Sequence, residues 1–433
     1  MRPTPALCLA LALVTPAAAA DWPGFRGTGG SVSTAKNLPA EWSPTDNVGW
    51  TLELPGYGQS APVVWKETAY VTCVSGDQRD KGYVLAVDVA TGKERWRHAF
   101  EPTQKAKMSA TVSRAAPTPC ADAGGVYCFF EGGNLVALTH AGKVRWERSL
   151  VADYGEFKGG HGVGASPCQT ADAVFVLVDH AGPCYLLAVE KATGKTRWKA
   201  DREGKMSWSS PAVATVGKAD VVIASSNGSV AGYAADKGTE LWKVSGVVGN
   251  TIPSATVAGD RVVVGAGAGR GAPPKDAKSN FCLTLTGAGG KPGYEVAWTA
   301  PTGLANYASP LVYEGNVYFV DSTGVLHCHD LKSGKEHYAE RIDGPCWATP
   351  VAAGDRVYCF GKDGVTTVVK AGAEFEKVAS NRLWEGKAKP KADPAKPGDT
   401  GGGESGDPIL YGVAATDGAF LVRTGTTLYR VGK

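Results

Sequence analysis

One turn-centred stretch recurs along most of this chain, and that recurrence restricts the fold more than any other feature. Its clearest form is Ala86-Val87-Asp88-Val89-Ala90-Thr91-Gly92-Lys93-Glu94-Arg95-Trp96. Apolar alternation enters from Tyr83, a turn sits at Thr91-Gly92, and a second strand leaves through Trp96. Gly92 can take the left-handed conformation that closes a short hairpin, and Asp or Thr side chains hydrogen-bond the turn's backbone. Ala188 to Trp198 is nearly a copy. Weaker copies end at Trp146, Trp242 and Tyr338, and degenerate ones at Trp298 and Trp384.

A second marker precedes each copy. It reads Ser60-Ala61-Pro62, Ala115-Ala116-Pro117, Ala165-Ser166-Pro167, Ser209-Ser210-Pro211, Thr251-Ile252-Pro253, Ala308-Ser309-Pro310, Ala348-Thr349-Pro350 and Ser405-Gly406-Asp407-Pro408. After each Pro comes an apolar run, a Gly/Asp turn and a second run such as Val317-Tyr318-Phe319-Val320. Four antiparallel strands per unit, repeated every 40 to 58 residues by the Pro markers, are the pattern of propeller blades. There are eight units. The last, Pro408 to Val431, supplies only three strands, while Val48-Gly49-Trp50-Thr51-Leu52 carries a Trp with no preceding blade. The expected fold is therefore all-β: an eight-bladed propeller over residues 47–433, closed non-covalently by an N-terminal strand.

Residues 1–20 have a short basic start, an apolar core and an Ala-rich end, which together describe a secretory signal peptide cut before Asp21. The apolar run is shorter than the ~20 residues a membrane span needs. Export to the periplasm or the extracellular space is expected, with no transmembrane segment. Residues 21–46 hold Trp22, Phe25 and Trp42 in a non-repeat stretch, expected to be a cap lying on the propeller. Truncating Trp42 should therefore matter less than truncating a repeat Trp. A formal charge of +3 over 433 residues is too balanced for a nucleic-acid partner. Nine cysteines follow the signal segment, with no zinc-type or haem-attachment spacing. Cys73, Cys128 and Cys359 are assigned to one strand slot as core filler.

The motif Ala86-x-Asp88-x-x-Thr91-Gly92-Lys93-x-x-Trp96 resembles the tryptophan-docking motif of pyrroloquinoline-quinone-like propeller repeats. That superfamily includes quinoprotein alcohol dehydrogenases and outer-membrane assembly-factor propellers. The resemblance implies that Trp50, Trp96, Trp146, Trp198, Trp242, Trp298, Tyr338 and Trp384 pack between adjacent blades. For a quinoprotein dehydrogenase it would further imply a stacked quinone, adjacent cysteines in a disulfide, a Ca²⁺ site and an Asp base. The chain has no Cys-Cys pair and no acidic cluster like a Ca²⁺ loop, so neither pyrroloquinoline quinone nor Ca²⁺ is expected.

Other candidate chemistry is sparse. His327 and His329 share one face of a strand, but two ligands need a third, and they align with the packing residues Leu85 and Val87; no metal site is assigned. His161 lies in a Gly-flanked loop. Turns after the first and third strands of each blade are nearly all tight, while four insertions fall on the other face: His98 to Arg114, Tyr154 to Val163, Gly265 to Asn280 and Glu385 to Glu404. The same face collects Gln59, Arg114, His161, Trp208, Asn250, Tyr307 and Trp347, just before the Pro markers. Binding residues gather on loops held by rigid scaffolds, so these seven are the expected ligand or partner site. The expected function is a non-enzymatic binding or scaffold propeller. Its partner would be a protein, or a small-molecule or glycan ligand, of the cell envelope. A quinone- or metal-dependent oxidoreductase and an envelope assembly factor stand as the alternatives.

Overall fold

The alternation around each Thr-Gly or Ser-Gly turn forms the outer half of a four-stranded blade. The computed structural model describes residues 20–106, 113–203, 206–226, 228–267, 280–287, 292–300, 305–385 and 408–432. Blade 1 runs Val63–Trp65, Thr68–Ser75, Lys81–Asp88 and Glu94–Phe100, each strand pairing antiparallel with the next. Blades 2 to 7 follow in chain order, starting at Cys120, Cys168, Ala212, Thr256, Leu311 and Val351. Blade 8 contributes Gly412–Thr416, Ala419–Arg423 and Thr427–Val431, and Val48–Glu53 from the other end of the chain completes it, with Leu52 opposite Leu428. The protein is thus an eight-bladed all-β propeller closed by an N-terminal strand, as the repeat predicts. The only α-helix among the described residues is Leu150–Tyr154. The signal-type segment, through residue 19, and residues 107–112, 268–279 and 386–404 of three insertions lie outside the described residues.

The core lies between blades rather than within one. Second strands such as Ala173–Val178 are buried along their whole length, whereas the outermost strands are largely exposed. Across five of the eight joints, a fourth-strand tryptophan reaches the turn of the next blade. The Trp96 indole N–H donates to His140 O at 2.8 Å, and a Cβ on Gly142 would lie 2.7 Å from that ring. The same contact joins Trp50 to Val89 and Gly92, Trp146 to Lys191 and Gly194, Trp198 to Ala235 and Gly238, and Trp298 to Leu331 and Gly334. The turn glycine is therefore needed twice, for its positive φ and because the neighbour's indole leaves no room for a Cβ.

Three positions depart from this pattern. Trp242 packs against Tyr294 of blade 5 at 5.2 Å, and residues 288–291 of that blade's turn lie outside the described residues. Tyr338 packs edge-on against Phe375. In blade 7 the bulge places Ala379 opposite Val368, so Ala379 and not Trp384 occupies the docking slot. Trp384 lies beyond that strand, against Gly364 of its own blade and Tyr429 of blade 8. The joint is filled instead by Trp42, which is 6% exposed and sits between Phe360 of blade 7 and Phe420 of blade 8. Trp42 is a core wedge, not a surface cap.

The cysteines also shift in register. Cys128 and Cys359 share a slot with Val71, and Cys73 stands two residues further along its strand. All nine described cysteines are free thiols, and burial pushes those of Cys120 and Cys359 up to about 12.

Trp96→Ala and Trp42→Ala are each expected to lower stability by ~3–5 kcal/mol, the usual loss for a buried aromatic cut to Ala. Denaturant titration checks this; a negligible loss at Trp42 would contradict its role as a wedge. The repeat turn also carries a pH signature. Arg95 Nη2 donates to Asp88 at 2.6 Å and Thr91 caps the other oxygen, holding the carboxyl down from 3.8 to about 2. Its contribution is complete above about pH 4 and is lost as pH falls through 2. Asp88→Asn is therefore expected to flatten the acid limb of a melting-temperature profile between those values and to leave its neutral-to-basic slope unchanged.

Candidate functional site at the mouth of the central channel

The innermost strands line a central channel, and the small residues at their entry form a ring of hydroxyls. Each backbone N–H at this position donates to the hydroxyl of the next blade. Ala61 donates to Thr118, Thr118 to Ser166, Ser166 to Ser210, Ser210 to Ser254, Ser254 to Ser309 and Ser309 to Thr349, at 2.8–3.2 Å. The ring stops at blade 8, where Gly412 sits so close to Ala61 that a Cβ would lie 2.6 Å from its Cα. The Pro markers were thus partly out of register. Thr118-Pro119 rather than Ala116-Pro117 occupies the slot in blade 2, Ser254 follows Pro253 in blade 5, and Gly412 rather than Pro408 marks blade 8.

The N-terminal segment closes one end of this channel. Trp22 exchanges two backbone hydrogen bonds with Val64, and the Asp21 carboxylate accepts the N–H of Lys66 in a tight turn of blade 1. Arg26, held at a φ of 60°, spans to blade 5, where its guanidinium donates to Thr256 Oγ1 and Ala255 O at 2.6 and 2.7 Å. Val32–Ser33 then adds as a parallel strand to Val351–Ala353, and Lys36 N–H reaches Asp417 at a tight turn of blade 8. The segment is a plug inside the channel, inserted from the tight-turn face.

Above the plug lies a cavity of about 610 Å³, inside the ~300–1,000 Å³ range of small-molecule sites. Its floor includes Phe25, Arg26 and Ser31, its wall is the hydroxyl ring, and its rim carries Gln59, His161, Trp208, Tyr307, Trp347 and Tyr411. The rim aromatics form an arc. Ring centroids are 5.5 Å apart for Tyr307–Trp347 and 6.1 Å for both Trp347–Tyr411 and Tyr411–Tyr57, and the last pair also shares a 2.6 Å hydroxyl hydrogen bond. The Arg114 guanidinium stacks 3.5 Å above Tyr57, and Lys362 Nζ lies 5.2 Å from the Trp347 ring. Across the mouth, His161 meets Trp208 edge-on. Tyr307 is 43% exposed, which marks this end as open.

Of the seven residues expected here, the structure brings Gln59, His161, Trp208, Tyr307 and Trp347 around one cavity. Arg114 sits beside them on Tyr57, and its N–H is accepted by Gln59 Oε1 at 2.8 Å. Asn250 is not among the lining residues. It is fully buried, donating to Ser225 Oγ and Ser229 O and accepting from Gly228 N–H, so it braces the loop after the second strand of blade 4. Sequence reasoning missed the hydroxyl ring, Tyr411 and Arg26. The Ser and Thr of the ring were visible at most markers, but only the blade-to-blade geometry aims them at one another.

The electrostatics are one-sided. No Asp or Glu occurs among the described lining residues, whereas Arg26 is buried without a carboxylate partner, and desolvation pulls its pKa down to about 9. Arg423, fully buried behind Ser60, is likewise pulled down to about 10 by burial. The described lining offers hydroxyl oxygens but no carboxylate of the kind that usually holds a hard cation such as Ca²⁺.

The sequence profile of the family described as outer membrane protein assembly factor BamB matches residues 23–156, 152–272 and 287–422. Among solved structures, the chain is similar to BamB from Moraxella catarrhalis, with 12% identity over 89% of this chain and 99% of that one, at a TM-score of 0.57. It is also similar to the quinohemoprotein alcohol dehydrogenase from Comamonas testosteroni, with 14% identity over 95% and 81%, at a TM-score of 0.57. The quinohemoprotein alcohol dehydrogenase ADHIIG from Pseudomonas putida HK5 gives 12% identity over 94% and 80%, at 0.56. At such identities the likeness is one of fold. No curated protein sequence matches the chain.

The hydroxyl ring has a stability consequence. Ser210→Ala removes the acceptor of the buried Ser166 N–H and is expected to lower stability by ~1–3 kcal/mol, the penalty of an orphaned buried donor. Ser210→Thr keeps the acceptor and should stay closer to the parent in the same denaturant titration.

Proposed function

The chain belongs to the pyrroloquinoline-quinone-like repeat family described as outer membrane protein assembly factor BamB, and on that footing we propose that it is an exported, non-enzymatic binding propeller. Its ligand enters the channel mouth on the long-loop face. The observation that carries this reading is the asymmetry of the channel: the protein's own N-terminal segment occupies one end, with a smaller cavity of about 420 Å³ beside Gly24 and Gly29, and leaves an aromatic-rimmed cavity at the other. The signal-type residues 1–20 support export. Among the described residues no helix is long and apolar enough to cross a membrane.

The chemistry of the walls narrows the ligand. Each of the six ring hydroxyls accepts a backbone N–H and still has its own proton to donate. Arg26 in the floor, with Arg114 and Lys362 at the rim, adds positive charge that no carboxylate among the described lining residues offsets. Such walls favour a guest rich in acceptors and negative charge. The arc of tilted rings from Tyr307 to Tyr57 offers aromatic faces and edges to sugar rings. A uronic-acid-containing oligosaccharide meets both demands.

The family description favours a second reading, a docking platform for envelope proteins, in which the same mouth grips an acidic peptide segment. Among the described lining residues, His161 is the one imidazole and there is no carboxylate, which gives catalysis less support.

The test is calorimetric titration with oligogalacturonate and, as the neutral control, maltohexaose. Oligogalacturonate should bind more tightly, and Tyr307→Ala with Trp347→Ala should weaken it by at least about tenfold, or ~1.4 kcal/mol. No binding of the acidic sugar, or binding untouched by the paired substitution, would overturn the glycan assignment. Binding of a Glu-rich peptide instead would favour the docking platform.

A further inference from the structure

His327 and His329 lie on Val325–Asp330, the third strand of blade 6, and the structure supplies the third ligand that the sequence reading lacked. The fourth strand pairs Glu336 directly with His329. His327 Nδ1 is 3.2 Å from Glu336 Oε2, His329 Nε2 is 3.5 Å from the same oxygen, and one ligand atom from each of the three residues falls within 4.8 Å of the others. Two of these spacings bracket the edge of a tetrahedral Zn²⁺ site, about 3.3 Å for bonds of about 2.0–2.1 Å.

The tautomer of His329 carries the argument. Its Nδ1 is 3.0 Å from Gly334 O, and a carbonyl can only accept, so Nδ1 holds the proton. Nε2 is therefore a lone pair. His329 is 4% exposed, its Nε2 has no hydrogen-bond partner, and it faces a carboxylate oxygen, another lone pair. The two lone pairs face each other across 3.5 Å, a spacing that a cation bridging them would satisfy.

We propose that His327, His329 and Glu336 bind a borderline divalent transition-metal ion of the Zn²⁺ type. Two imidazoles and one carboxylate suit such an ion better than Mg²⁺ or Ca²⁺. Supporting contacts are already in place. The Gly334 carbonyl that orients His329 belongs to the turn on which Trp298 of blade 5 docks, and Phe319 meets the His329 ring edge-on at 5.6 Å. His327 Nε2 is 3.9 Å from Asp321 Oδ2. When Nδ1 of His327 gives its lone pair to the metal, its proton moves to Nε2, which faces the Asp321 carboxylate at ion-pair rather than hydrogen-bond distance. Outer carboxylates and carbonyls of this kind orient metal-bound histidines. The half-exposed Glu336 leaves the fourth position of the ion to solvent. A bound ion would tie the third strand of blade 6 to its fourth, beneath the joint with blade 5.

The experiment uses untagged mature protein stripped with chelator and titrated with Zn²⁺ by calorimetry, with Co²⁺ absorption as the spectroscopic readout. One equivalent should bind, Co²⁺ should give the intense visible bands of a tetrahedral site, and Zn²⁺ should raise the melting temperature. His327→Ala and Glu336→Gln should each weaken binding by at least about 10- to 100-fold, and Asp321→Asn by about tenfold. Glu336 is half-exposed, so Glu336→Gln should melt with the metal-free parent, which separates lost binding from lost folding. Absence of saturable binding by the parent, or equal affinity in the His327→Ala/Glu336→Gln double variant, would overturn the proposal.

Discussion

The seat of a fourth-strand tryptophan in the turn of the next blade, made at five of the eight joints, is the contact on which the rest of this ring depends. A single blade is a twisted sheet that cannot bury both faces alone, so stability must come from its neighbours. The indole N–H to carbonyl bond and the bare Gly beneath the ring fix both the spacing and the rotation of adjacent blades. Trp50 extends this rule across the chain ends, because it belongs to the N-terminal strand that completes blade 8 and docks on blade 1. Where the rule lapses, at Ala379, the chain inserts Trp42 instead.

Closure of the ring determines what its centre can do. With the blades spaced by the docking contacts, the residues entering each inner strand come within reach of one another, and the hydroxyl ring follows. The N-terminal segment uses the same inner strands as backbone partners, at Val64 and at Val351–Ala353, and so occupies the tight-turn end of the channel. The other end keeps its polar wall and aromatic rim. A channel occupied by its own chain at one end and lined with donors at the other has a direction, and the proposed function rests on that direction.

Much of this was legible from local patterns. The Thr-Gly turn with its Trp has one conformational reading, and repetition turned it into a blade count and a closure strand. The rim residues Tyr307, Trp347, Trp208, His161 and Gln59 were legible because topology sends every residue before an inner strand to one face. What was not legible depended on contacts between segments far apart in sequence. Trp384 looked like a docking residue, but strand pairing in blade 7 sets Ala379 in the slot and leaves Trp384 beyond the strand. Trp42 looked like part of a surface cap because nothing local shows that Phe360 and Phe420 leave a gap. Asn250 shares its sequence position with rim residues, yet its amide is spent on the loop between Ser225 and Ser229. His327 and His329 looked like packing residues until strand pairing set Glu336 beside them.

Hydroxyl-radical footprinting read by mass spectrometry, with and without oligogalacturonate, tests the central claim of a one-ended binding channel most directly. Protection should appear at Tyr307, Trp347, Tyr411 and Trp208, and not at Trp65 or Tyr313 beside the tight turns. Protection at Trp65 and Tyr313 with the rim unchanged would place the ligand on the plugged face and contradict the account.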